Sequence, residues 1–377
     1  MTAPLVSVVI PCYNRPTLVR EAAESVLGQS FRDFELIVVD DGSTDGTPAV
    51  LEGLAAEGCA VLGPDRPAAP ADAAGPDWSA GPPGPTTTPP TAGISASRIT
   101  IRRIPHSGFP GAVRNRGVEL ARGRYVAFLD ADDLWHAEKL DRQLQLHRAE
   151  SWPRGTSYGT SVPRKTADST SVPGNTRDIA DRTSVPPRIS HTRERWLRDG
   201  REISQKGMDH ARRGWVFPDA LKKCTIGPST VMMERSLFEE LGGFREDLEI
   251  AEDYELWLRV TAQYPVAYLD EPLTVKRAGH GDQLSRKYGM IEPFRIRALR
   301  DLVRSGFFEA MDGRRQPGFP QPGFPQPKAP APQTSRAALA RAELAQKCRI
   351  YATGCEKRGR YEEAAAYRAE AEEYEGS

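Results

Sequence analysis

Near its start the chain twice sets a short, near-continuous apolar run ahead of a loop marked by proline or acid and then an amphipathic segment, an order few architectures accept. Residues 5–10 read LVSVVI and stop at Pro11, with Asn14 and Pro16 close behind. Apolar residues recur at helical spacing at Leu18, Ala22 and Val26, as far as Gly28. Residues 34–40, FELIVVD, form the second run, stopped by Asp41, Gly42 and Ser43. A helix is expected over 47–57, with Ser43 or Thr44 as its cap. A strand solvated on one face alternates polar and apolar residues, whereas these runs do not. They predict an α/β fold: a parallel sheet covered by helices on both faces. Such sheets bind ligands beyond the carboxyl ends of their strands, so the loops 11–15 and 40–45 become the places to inspect.

The pattern continues with an alternating strand at 98–104, a helix at about 111–121, a third apolar strand in RYVAFLDADD (124–133) and an amphipathic helix over 135–148. Two stretches interrupt it. Residues 63–93 hold nine Pro and five Gly, and 153–187 repeat TSVP unevenly at 160, 170 and 183. Both read as low-complexity, disordered insertions, bounded at about 63–97 and 153–187. Beyond them the expected elements are a strand in 224–236, a helix and Gly-Gly turn in 237–245, a helix at 251–263, a strand at 266–277 and a helix at 291–307. The predicted main domain is 1–312, followed by a Pro-rich linker at 313–334 and a helical hairpin at 335–377 joined at Gly359. One hairpin cannot bury its own apolar face, so residues 335–375 must dock on the main domain or on a protein partner.

Composition narrows the function. With 51 Lys+Arg against 51 Asp+Glu, nothing favours a generally basic nucleic-acid binder. No apolar run approaches the roughly 18 residues of a membrane span, and the first residues lack the basic stretch of a secretory signal. Five cysteines without a C-x-x-C spacing read as reduced thiols of a cytoplasmic protein. No Walker-type loop and no G-x-G-x-x-G follows the first strand, which argues against phosphoryl transfer by a P-loop enzyme and against an NAD-dependent oxidoreductase.

Three acidic clusters carry candidate chemistry. Asp40 and Asp41 end a buried strand, where a carboxylate can accept the N–H of a base or hold ribose hydroxyls; an ordinary capped turn explains them equally well in isolation. Asp130, Asp132 and Asp133 place three carboxylates within four residues, and capping the next helix needs only one. Like charges at that density repel unless a cation sits among them. Asp130 and Asp132, alternate residues of an extended segment, could share a face and hold Mg²⁺ or Mn²⁺ together with substrate phosphates. Glu252 and Asp253 open a helix, whose N-terminus favours the ionised carboxylate; a solvated acidic first turn is the plain alternative.

Taken in order, VSVVIPCYNR (6–15), SVLGQSFRDFELIVVDDGSTDGT (25–47), GAVRNRGVELARGRYVAFLDADDLW (111–135), GPSTVMMERSLFEELGGFRE (227–246) and EDYELWLRV (252–260) resemble the GT-A glycosyltransferases of family 2, which are inverting, nucleotide-sugar-dependent enzymes. The resemblance covers about 1–290 apart from the insertions, and implies a GT-A, Rossmann-like, mixed but mainly parallel sheet. It implies that Pro11, Tyr13 and Asn14 lie against the nucleotide, that Asp41 binds the base with Asp40 supporting its loop, and that Arg114 and Asn115 face the donor. Asp130 and Asp132 become the DxD-type acids, Asp132 foremost as the ligand of Mg²⁺ or Mn²⁺, with Asp133 and His280 as further candidates; Asp253 becomes the catalytic base. The implied partners are a nucleotide-diphosphate sugar, a UDP-sugar first among them, and a saccharide, lipid-linked or protein acceptor, met in the cytoplasm or at the inner face of the membrane. The alternative is a catalytically degenerate GT-A domain that acts as a scaffold through its C-terminal helices.

Overall fold

The computed structural model describes residues 3–60, 99–148, 152–153, 182–183, 186–204, 210–278, 290–313 and 335–375. Most of both expected insertions, nearly all of the linker and His280 lie outside the described residues. The first elements follow the expected order: β1 (Val6–Cys12), α1 (Pro16–Leu27), β2 (Phe34–Asp40), α2 (Thr47–Ala60), β3 (Ile99–Arg103), α3 (Pro110–Leu120) and β4 (Tyr125–Phe128). Next come β5 (Leu134–Trp135), α4 (Lys139–Arg148), β6 (Ile189–Arg198), β7 (Arg201–Glu202), α5 (Phe217–Lys222), β8 (Met232–Glu234), α6 (Arg235–Glu240), α7 (Glu252–Thr261) and β9 (Ala267–Ala278). The chain closes with α8 (Glu292–Arg304), α9 (Phe307–Asp312), α10 (Arg336–Glu356) and α11 (Tyr361–Glu375).

One mixed sheet runs β3-β2-β1-β4-β8-β6-β9-β5, with β7 paired to β6. β3, β2, β1 and β4 are parallel, β8 is antiparallel to both neighbours, and β9 is parallel to β6. Alternate residues of the apolar strands feed two cores. Val6, Val8 and Ile10 pack with Val19, Ala22 and Val26 of α1 and Leu140 and Leu144 of α4. Val9, Ile37 and Val39 face Val113 and Val118 of α3 and Leu256, Trp257 and Val260 of α7. This is the expected α/β sheet with helices on both faces. α3 lies so close to β1 that a Cβ on Gly117 would sit 2.3 Å from Val9 Cγ1.

Three expectations shift. The helix expected over 135–148 starts at Lys139, because Leu134 and Trp135 instead pair with Val275 and Thr274 at the sheet edge. Only Met232–Glu234 of the strand sought in 224–236 is extended: Pro228 has no amide for a ladder, and Pro228–Thr230 turn as a 3-10 helix. The helix sought over 291–307 stops at Arg304, and Gly306, at φ +70°, starts α9. α5, β6 and β7 had no forecast at all.

The C-terminal hairpin docks on the main domain. Leu344, Ala345, Cys348 and Ala352 of α10 join one core with Leu221 of α5, Tyr254 and Leu258 of α7, and Leu299 of α8. Arg300 of α8 makes a bidentate pair with Glu370 of α11. Among the described residues no helix is long and apolar enough to cross a membrane.

Candidate active site

The parallel strands bring the first two loops together at their carboxyl ends. Asn14, at φ +50°, receives Thr44 N–H on Oδ1 at 2.8 Å and gives its own N–H to Ser43 Oγ at 2.8 Å. Asp40 takes Ser43 N–H at 3.0 Å and pairs with Arg103 at 3.5 Å, contacts that brace this turn. Pro11 is half-buried within β1, where it is paired with Val39. Asp41 is buried, and its two oxygens accept Ser107 N–H at 2.8 Å and Gly108 N–H at 3.0 Å. Its Oδ2 also lies 3.0 Å from His106 Nδ1. His106 in turn stacks on Tyr13, with ring centroids 4.0 Å apart and planes 19° from parallel. Asp41 thus holds the loop that presents one wall of an aromatic pair, and His106 enters a site to which sequence reasoning had not assigned it.

The acids after β4 divide into two kinds. Asp130 receives Arg114 Nη2 at 2.7 Å and Asp132 pairs with Arg15 Nη1 at 3.0 Å; both side chains keep some solvent access. Burial would push Asp130 up, yet the Arg114 guanidinium, with Lys276 and Arg15 nearby, holds it below the usual carboxylate range. Asp133 turns inward. It is buried, takes Ser229 O–H at 2.6 Å and Arg277 N–H at 3.3 Å, and burial raises it well above an ordinary carboxyl, with Asp132 and Asp130 adding to the rise. Of the three acids Asp133 is the least accessible, and both of its oxygens already accept hydrogen bonds within the fold.

α7 supplies the third cluster. Its first residues follow Ala251 at φ +67°, which swings the chain so that Glu252 points inward and meets Arg114 Nη1 at 2.5 Å. Burial raises Glu252 to about 7, because the Arg114 charge is shared with Asp130 and Asp253 adds repulsion. The expectation that the helix N-terminus keeps this first turn ionised is corrected for Glu252: desolvation outweighs the dipole there. Asp253 Oδ1 takes Tyr254 N–H at 2.6 Å, and its Oδ2 lies 3.4 Å from Cys224 Sγ. Lys276 of β9 is half-buried; desolvation opposes its charge, but the surrounding acids Asp133, Glu194, Asp130 and Asp253 outweigh that and raise its basicity.

Arg114 thus ties the acids after β4 to the start of α7, and Arg15 ties Asp132 to the loop that carries Tyr13 and Asn14. Asn115 faces elsewhere, since successive helical residues diverge. It donates to Phe244 O at 2.8 Å and Glu246 Oε1 at 2.9 Å and accepts Phe244 N–H at 3.0 Å, pinning the turn before α7. Arg15, His106, Ser229, Glu252 and Lys276 join the site without having been given roles; Arg15, Ser229 and Glu252 lay inside quoted motifs, and nothing local marked His106 and Lys276.

Among the described residues no group of three or more His, Cys, Asp or Glu could hold a metal ion. Asp130 and Asp132 still fit a divalent cation of the Mg²⁺ type, which takes one or two carboxylates and completes its shell from phosphate and water. The fit rests on the partial exposure of both acids and on the lowered titration of Asp130.

Comparison with known proteins finds likenesses of sequence and of fold. The family model described as Glycosyl transferase family 2 matches residues 7–65 and 91–165. TuaG of Bacillus subtilis, whose name ties it to teichuronic acid biosynthesis, is 26% identical over 288 residues, covering 76% of this chain and 83% of the relative. WfgD of Escherichia coli, named as a UDP-Glc:alpha-D-GlcNAc-diphosphoundecaprenol beta-1,3-glucosyltransferase, is 25% identical over 257 residues, covering 68% and 69%. An uncharacterized glycosyltransferase of Rickettsia felis is 26% identical over 276 residues, 73% of this chain; against it and a Rickettsia conorii relative this chain spans 33% of their length. Among solved structures, S. aureus TarS 1-349 in complex with UDP-GlcNAc superposes with a TM-score of 0.52 at 16% identity, covering 99% of this chain and 92% of that one, a likeness of fold.

Proposed function

We propose that this chain, which resembles glycosyltransferase family 2 in sequence and shares the GT-A fold, is a metal-dependent, inverting glycosyltransferase that moves a sugar from a nucleotide diphosphate to an acceptor hydroxyl. The observation that carries the reading is the double ion pair of Arg114, which joins Asp130 to Glu252 and so brings the acids after β4 to the base-bearing turn of α7.

In this reading the nucleotide base lies against Tyr13 and Pro11, beside the loop that Asp41 holds. Asp130 and Asp132 would hold Mg²⁺ or Mn²⁺, which supplies charge compensation for the departing diphosphate. Asp253 accepts the proton of the acceptor hydroxyl as that oxygen bonds to the anomeric carbon. The bond from that carbon to the diphosphate oxygen breaks in the same step, and the leaving group keeps the electron pair. Attack from the face opposite the leaving group inverts the configuration. Lys276 and Arg114 keep positive charge beneath the acids while this happens. A UDP-sugar is the first donor to try, since TarS was captured with UDP-GlcNAc and WfgD is named for UDP-Glc. The names of WfgD and TuaG support a surface-polysaccharide role and, for WfgD, a lipid-linked acceptor, which would bring a cytoplasmic enzyme to the inner face of the membrane.

The test is nucleotide release from UDP-, GDP- and dTDP-sugars with and without Mn²⁺, followed by NMR of the product anomer. A product of retained configuration rejects the single displacement. Full transfer by Asp253→Asn removes Asp253 as the base, because loss of a general base should cost about 10²–10⁴ in rate.

A further inference from the structure

The C-terminal hairpin reaches the candidate base through one buried side chain. Lys347, on α10, is 5% exposed, and its ammonium donates to Lys222 O at 2.8 Å and to Glu292 Oε1 at 2.6 Å, with Glu343 at 3.8 Å. Lys222 is the last residue of α5, so the ammonium caps a carbonyl that the helix itself leaves without a partner. Glu292 opens α8. Two residues beyond Lys222 the chain reaches Cys224, whose Sγ lies 3.4 Å from Asp253 Oδ2. The same ammonium sits 5.9 Å from the ring centre of Tyr254, the neighbour of Asp253, whose hydroxyl donates to Leu221 O at 2.6 Å.

α5 is a single short turn of six residues, and its C-terminal cap residue Lys223 is extended at φ −157°. Such an element has little intrinsic persistence, since short helices in water are marginal. Its end is fixed by what it touches, namely Tyr254 and Lys347. A buried ammonium costs desolvation and is kept where it selects one arrangement over its neighbours.

We infer that Lys347 is a positioning residue for the transfer reaction: the hairpin fixes the end of α5 through it, and with that end the Cys224 thiol that holds the Asp253 carboxylate in one orientation. This rests on the reading of Asp253 as the base, and it makes the hairpin part of the catalytic unit.

The test compares Lys347→Met, which keeps the stem and loses the charge, with Glu370→Gln, which weakens the hairpin at its far end by disturbing the pair with Arg300. Two readouts are taken on the full chain. The first is the rate of iodoacetamide alkylation at Cys224, followed by peptide mass spectrometry with Cys12 of β1, outside the hairpin, as internal reference. Lys347→Met should speed Cys224 about tenfold or more while Glu370→Gln leaves it at the wild-type rate, the fold-change corresponding to a local opening made easier by a decade. The second is steady-state transfer: Lys347→Met should lower kcat by about tenfold at unchanged donor KM, as expected when the base is misplaced and donor binding is not. Wild-type alkylation and wild-type kcat in a folded Lys347→Met overturn the inference. Equal acceleration of Cys224 in both variants also overturns it, since general loosening then suffices. Absence of transfer by the wild-type enzyme with every donor would sink the functional reading while the alkylation comparison still judges the link from Lys347 to Cys224.

Discussion

Arg114 and Glu252 meet at 2.5 Å with side chains only 6% and 7% exposed, although 138 residues separate them in the chain. The other arm of the same guanidinium holds Asp130, so one cation joins the strand that carries the acids to the helix that carries the candidate base. Removing it would leave the buried Glu252 without its partner and take from Asp130 one of its compensating cations. Arg114→Met should destabilise the fold by about 3 kcal/mol, the range for breaking a buried pair on one side. Urea unfolding followed by tryptophan fluorescence measures this. A loss under about 0.5 kcal/mol, the size of an ordinary surface substitution, would mean that the bridge contributes little.

Glu252 gives the fold a pH dependence whose sign is fixed. Its pKa in the folded state is raised from 4.5 to about 7, first by burial. Between those values the folded state holds the proton and the unfolded state does not, so stability falls as pH rises through that window. The contribution is complete below the unfolded pKa and is lost once pH passes the folded one. Glu252→Gln cannot titrate. The stability of the wild type relative to Glu252→Gln should therefore fall from about pH 4.5 to about pH 7 and level off above it. Unfolding midpoints across that range test the point; a difference that rises with pH would assign the opposite shift.

Strands β1, β2 and β4 were legible because they are apolar on both faces, which leaves them few alternatives to a covered parallel sheet. The same logic pointed to the loops at their ends, among them the one holding Asp40 and Asp41; Asp130 and Asp132 were singled out by their crowding, and Tyr13 by the family resemblance alone. What stayed hidden was set by contacts distant in sequence. Asp133 looks like its neighbours as text, and it is Ser229, 96 residues away, and Arg277, 144 residues away, that hold it inward. Arg15 meets Asp132 across 117 residues, and Asn115 is drawn to Phe244 across 129. Lys276 sits in a strand whose pairing with β6 could not be foreseen, because β6 itself is charged and lacks a clean alternation. Trp135 misled for a related reason: its helical spacing was real, but burial of the ring and donation of Nε1 to Ser229 O at 2.7 Å draw it into the sheet.

On the proposed reading, the stacked pair of Tyr13 and His106 forms the wall that meets the nucleotide base. Tyr13 is 38% exposed and lies over the imidazole that Asp41 anchors. A nucleotide base entering here would find a flat aromatic partner on a fixed loop. Stacking of a base on an aromatic side chain contributes about 1–3 kcal/mol. Tyr13→Ala should weaken UDP binding by about tenfold, and His106→Ala should follow it, because the imidazole holds the phenol ring in place. Calorimetric titration with UDP measures both. Wild-type affinity in Tyr13→Ala would move the base to another wall of the site.

Metal removal probes the remaining pair of acids. In this structure Asp130 and Asp132 face Arg114 and Arg15, at 2.7 and 3.0 Å, and those cations offset the charge of the carboxylates. A divalent ion carrying a diphosphate has to compete with that arrangement, so its affinity should depend on the nucleotide being present. UDP binding should weaken by about tenfold or more in EDTA and recover with Mn²⁺, a decade being about 1.4 kcal/mol. Asp132→Asn keeps the shape and removes the anionic oxygen. It should bind UDP with much the same affinity with or without Mn²⁺, while Arg15 loses its ion-pair partner. If Asp132→Asn retains the full enhancement by Mn²⁺, the ion is held without this carboxylate, and Asp132 serves only to fix Arg15 beside the nucleotide loop.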